Sequence, residues 1–201
     1  MSSQVDFLKS MYVVVDSFVC RYTLPSRPTI YVTSSVKSKP DVFLMPVDKL
    51  AIVGTENSDG KFFHFRLSFY RESTKESVRI DMQPSYTDMS CPMRGVALIE
   101  YRKYPFSKKF GPEPFVKLLV AGETVGTLLN VIFNKHNMDQ YIFNDEGQGC
   151  RHWCACVLEK LVEDQLVAHS VPQDFADYEI QEYAKFGSKF PLPRIKGNFY
   201  H

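Results

Sequence analysis

Apolar and polar side chains alternate with a period of two in two neighbouring stretches. In Phe62–Tyr70 the apolar Phe63, Phe65, Leu67 and Phe69 are interleaved with His64, Arg66 and Ser68. In Ser77–Gln83 the apolar Val78, Ile80 and Met82 are interleaved with Arg79, Asp81 and Gln83. Such alternation on both sides of the turn-like Glu72-Ser73-Thr74-Lys75 predicts an antiparallel hairpin with one apolar face. A register that keeps apolar opposite apolar puts His64, Arg66, Asp81 and Gln83 together on the other face. His64 then lies beside Gln83 and diagonal to Asp81. Pro84 cannot donate to a ladder and ends the second strand.

Further strands are expected at Met11–Leu24, Leu50–Gly54, Gly95–Tyr104 and Phe115–Ala121, with a short extended run at Tyr141-Ile142-Phe143. Residues 25–46 hold four prolines and read as a long, partly extended connection. Thr124 suits the N-cap of a helix to about Asn134, with Val125, Leu128, Leu129 and Ile132 on one side. A stronger helix is expected from Cys150 to about Val167, burying Cys150, Cys154, Val157 and Leu161 as one stripe. A last helix runs from Pro172 to about Phe186, followed by a proline-bearing basic tail that wraps or frays. The pattern predicts one α+β domain over residues 1–201, with its motif-bearing core at about 60–167 and a C-terminal helix and tail at 172–201. Its architecture is an antiparallel sheet of about five strands with helices packed on one side.

Composition narrows the function. The chain has 201 residues, 44% apolar and 14% aromatic, which is ample for a normal core. Lys and Arg number 24 against 23 Asp and Glu. That balance excludes a nucleic-acid partner held by a broad electrostatic footprint, and it is not the signature of disorder. The start of the chain shows no secretory signal, and no stretch is long and apolar enough for a membrane span. Five cysteines, an odd number without small-domain spacing, fit reduced thiols in an intracellular, cytoplasmic setting.

The chemistry concentrates in Asn144–Cys156, NDEGQGCRHWCAC. Two glycines ahead of a helix let the backbone turn tightly, and Cys150 falls in the first helical turn. Unpaired N–H groups and the helix dipole favour an anion there, so the thiol should ionise readily. The same N–H groups could receive an oxyanion. A thiolate nucleophile needs a base, and His64 is the candidate, with Gln83 or Asp81 orienting its ring. Arg151 favours the thiolate, whereas Asp145 and Glu146 oppose it. A zinc site is not expected. On a helix Cys150 and Cys154 share one face while His152 and Cys156 lie on another, so the four cannot converge on one ion. No cofactor is called for, because neither a G-x-S-x-G elbow nor a phosphate loop occurs.

A strand His preceded by aromatics, a second strand, and then a Cys opening a helix resembles the permuted papain-like fold. That group includes the NlpC/P60-type proteins, the lecithin:retinol acyltransferase-like proteins and the PPPDE isopeptidases. Their Asn-Cys-x-x-Phe motif is similar to Gly149-Cys150-Arg151-His152-Trp153, with Gly149 in place of the Asn. FFHFRLSF, SVRIDMQP and YIFNDEGQGCRHW also resemble a family of uncharacterised fungal proteins, over roughly residues 60–167. The resemblance implies a papain-like fold.

The expected function is thiol-dependent acyl chemistry, hydrolysis or transfer at an amide, isopeptide or ester bond. Cys150 would attack, His64 would move the proton, and Gln83 or Asp81 would hold the ring. The substrate would be a peptide, a protein or a small acyl compound. The alternative is a non-catalytic module binding a peptide or small molecule in the same groove. An oligomeric assembly protein using aromatic-rich strands is a third reading, and the oligomeric state is not set by the sequence.

Overall fold

The computed structural model describes residues 29–89, 91–104 and 111–200. The strand expected at Met11–Leu24 lies outside these residues.

The alternating stretches form the expected hairpin, β3 (Phe63–Tyr70) and β4 (Ser77–Pro84). The other strands are β1 (Ile30–Val32), β2 (Lys49–Glu56), β5 (Gly95–Arg102) and β6 (Phe115–Leu118). Among the described residues these build one six-stranded sheet in the order β1-β5-β4-β3-β2-β6. It is mixed rather than wholly antiparallel, because β1 runs parallel to β5, Ile30 beside Ala97. The proline-rich connection conceals that strand. It also carries a short helix, α1 (Ser34–Lys37), and a 3-10 turn at Pro40–Leu44. Proline placed just inside a helical turn starts it rather than breaking it, which an extended reading of this segment overlooks.

Phe65, Leu67, Phe69, Val78, Ile80 and Met82 share a single core with Cys154, Val157 and Leu161 of α3 (Cys150–Glu163). The helices therefore cover one face of the sheet. On the opposite face Ala51, Val53 and Tyr70 form a separate small apolar cluster. By alternation His64, Arg66, Arg79, Asp81 and Gln83 belong to this second face.

Thr124 caps α2 (Val125–Leu129), its hydroxyl accepting from the Thr127 N–H at 3.2 Å. The helix then widens into a π turn over Asn130–Lys135 instead of continuing as a regular α-helix. Both Ile132 and Phe133 reach the core there. The last long helix is α4 (Val171–Phe186). The tail does wrap: β8 (Asn198–Phe199) pairs with β7 (Tyr141–Ile142). That pairing clasps the loop leading into α3.

Candidate active site

Two glycines set the entrance to α3. Gly147 has φ +72 and Gly149 φ +139, both in the region that favours glycine. A Cβ on Gly149 would stand 2.7 Å from the Tyr141 hydroxyl and 3.1 Å from the Gly197 nitrogen. That hydroxyl donates to the Gly149 carbonyl at 2.9 Å and accepts from the Gly197 N–H at 2.9 Å. The tail thus pins the loop that presents Cys150.

Cys150 is 7% exposed, and its Sγ accepts the backbone N–H of Phe65 at 3.2 Å. A strand N–H lies close to the plane of its sheet, so the sulfur is level with the strands rather than above them. The β3–β4 register explains how it gets there. β3 and β4 are paired from Tyr70↔Ser77 to Leu67↔Ile80, and the ladder stops at that point, although both strands continue. Beyond it, the Phe65 N–H is turned to the sulfur.

His64 approaches from the other face. Its Nε2 is bonded to Asp81 Oδ1 at 2.6 Å, and Asp81 Oδ2 accepts from Arg66 Nε at 2.5 Å. Arg66 is held in turn by the Thr55 hydroxyl at 2.5 Å. Asp81 rather than Gln83 engages the ring. Continuation of the register would put Gln83 opposite His64, but the ladder has already opened, and the diagonal partner is the one in reach. With Nε2 committed to Asp81, Nδ1 remains for exchange with the sulfur. α3 thus lies on the face opposite His64, and the pair meets through the opened ladder.

The electrostatics follow from that meeting. Burial alone would push the Cys150 thiol up, but the His64 charge and hydrogen bonding with its ring bring it below the ordinary thiol value. The Phe65 and Arg151 backbone N–H groups assist. Burial alone would likewise depress His64, yet the Cys150 charge and hydrogen bonding with Asp81 and Cys150 hold it up at about 9. Burial opposes ionisation of Asp81 too, but His64 and Arg66 keep it down at about 2. The combination favours a thiolate–imidazolium pair steadied by a carboxylate. The Arg151 guanidinium is held by Glu179 at 2.9 Å and by the Pro191 carbonyl, and its charge also interacts with that of Cys150.

A half-open cleft of about 40 Å³ adjoins the sulfur. Phe62, Phe63, Phe65, Gln148, Cys150 and Ile195 are among its lining residues. Sequence reasoning missed Pro191 and Ile195, which the tail brings to the cleft from far along the chain. The only sequence signal was the wrapping tail itself.

Among the described residues no group of three or more His, Cys, Asp or Glu could hold a metal ion. No helix among them is long and apolar enough to cross a membrane.

Residues 50–200 match the family model described as Domain of unknown function (DUF7770). No curated protein matches the chain, and no solved structure does.

Proposed function

For a chain that belongs to the DUF7770 family, whose description names no activity, we propose thiol-dependent acyl chemistry at Cys150, on a scaffold of the permuted papain-like kind. One observation carries the reading. The His64 ring, held by Asp81, and the Cys150 sulfur, which accepts the Phe65 N–H and borders a cleft, hydrogen-bond to each other.

In the reaction the Cys150 thiolate attacks the substrate carbonyl carbon and forms a C–S bond. N–H groups at the start of α3 face the developing oxyanion. The bond to the leaving amine or alcohol breaks as His64 gives that group its proton. Water or an acceptor nucleophile then loses a proton to His64 and attacks the thioester. The C–S bond breaks, and the thiolate is restored. Asp81 holds the ring and stabilises its charged form throughout.

Near-complete burial of the sulfur favours a second reading, a binding module that uses the same cleft without chemistry. Alkylation separates the two. Iodoacetamide should modify Cys150 at rates that plateau well below pH 8.5, about the ordinary thiol value. A rate that climbs only through the free-thiol range would refute the nucleophile.

A further inference from the structure

We propose that the cleft beside Cys150 takes an uncharged acyl donor bearing an apolar side chain, and that Ile195 and Pro191 of the C-terminal segment form the wall that selects it. The inference rests on the acyl-transfer reading for its chemistry, but the binding preference stands on the cleft alone.

The apolar walls come from two directions. Phe62, Phe63 and Phe65 lead into and begin β3, and Pro191 and Ile195 lie beyond α4. Two lining residues carry charge, and both are already engaged. Lys189 pairs with Glu56 at 2.5 Å. Arg151 pairs with Glu179 at 2.9 Å and lies over the Phe190 ring at 4.0 Å. A carboxylate or phosphate on the substrate would have to displace the buried Arg151–Glu179 pair, or share the exposed Lys189–Glu56 pair, whose charge solvent screens, and a substrate ammonium would meet no carboxylate among the lining residues. Gln148 is neutral. An apolar group, by contrast, gains from leaving water and displaces nothing.

The wall is fixed in place. Arg194, next to Ile195, grips Glu179 with two nitrogens, Nε at 2.8 Å. Two residues after Ile195, the Gly197 N–H donates to the Tyr141 hydroxyl. The same hydroxyl holds the Gly149 carbonyl that precedes Cys150. Specificity wall and nucleophile are therefore registered against one buried phenol, a rigid arrangement suited to discrimination by side-chain shape.

The test uses the full chain with p-nitrophenyl esters of N-acetyl-phenylalanine, N-acetyl-leucine, N-acetyl-glutamate and N-acetyl-lysine. The apolar pair should exceed the charged pair in kcat/KM by about tenfold or more. Ile195→Asp should erase that preference, and Ile195→Phe should shift it from phenylalanine toward smaller side chains; a melting curve for each reports folding. Cys150→Ala protein titrated with N-acetyl-phenylalaninamide and N-acetyl-glutamamide, followed by NMR shifts of the Ile195 methyl groups, reads binding without chemistry. Selective shifts from the apolar amide with no Cys150 acylation in the wild type would sink the acyl reading and keep this one. Acylation of Cys150 that is indifferent to side-chain charge, with no Ile195 shifts, would overturn this inference and leave the thiol chemistry standing.

Discussion

The first turn of α3 and the two turns that follow it hold the same chemical groups and behave oppositely. Cys150 is pulled below the ordinary thiol value, whereas burial and nearby negative charge push Cys154 well above it. Cys156, pushed up by burial and then by the Glu159 charge, reaches about 11. Two histidines show the same contrast. His64, beside a thiolate and a carboxylate, is held near 9, and His152, half-buried and near the Arg194 and Lys196 charges, drops to about 4. Cys150 and Cys154 are both buried, and His64 and His152 both half-buried, so burial cannot explain the difference. The partner does. Cys150 meets an imidazolium and strand and helix N–H groups, while His152 meets the Cys156 sulfur at 3.5 Å and the Tyr141 hydroxyl at 3.1 Å. A buried thiol is reactive only where the surroundings supply compensating positive charge.

The contrast can be broken most severely at the pair itself. Cys150→Ser should abolish acyl transfer and leave Cys154 unreactive in its place. His64→Ala should lower the rate by about 10²–10⁴-fold, the range for a lost general acid–base, in steady-state assays. Asp81→Asn should act less strongly but leave a sharper mark. Loss of the carboxylate lets the His64 value fall from about 9 toward that of a free imidazole, so the alkaline limb of the kcat/KM profile for acyl transfer moves to lower pH. The same groups set pH-dependent stability. The His64 contribution is fully present below about pH 6.5 and is lost as pH rises through about 9. That of Asp81 is present above about pH 3.9 and is lost as pH falls through about 2. Denaturant titrations of wild type and Asp81→Asn across pH would show both limbs.

Smaller effects sharpen the other half. Cys154→Ser places an unpaired hydroxyl in the core beside Val157 and Leu161 and should cost about 1–3 kcal/mol by denaturant midpoint. It should leave Cys150 alkylation unchanged. Cys156→Ser, at a half-buried position, should stay within about 0.5 kcal/mol of wild type. If Cys156 proved to be the first thiol modified, the proposed difference between the first turn of α3 and the turns after it would fail.

Legibility tracked the range of the interaction. Period-two alternation made the β3–β4 hairpin readable, and the glycines before Cys150 marked the helix start; both signals lie within a few residues of what they specify. β1 was hidden because three strand residues amid prolines carry no periodic signal. The choice between Gln83 and Asp81 was unreadable for a different reason. Ideal pairing points to Gln83, and only the early end of the ladder, with a sulfur at the Phe65 N–H, makes the diagonal carboxylate the nearer group.

What the chain determined alone is which residues can share a face. Alternation along β3 and β4 forces His64 and Asp81 onto one side, and helical spacing forces Cys150 onto the buried stripe of α3. Those periodicities are properties of the local backbone and hold in any fold that contains the elements. The tertiary structure decided how the two sides meet. The ladder ends at Leu67↔Ile80, the sulfur lies level with the strands, and a tail more than 40 residues further on walls the cleft. Such contacts between distant segments depend on how whole elements dock, for which no sequence period exists.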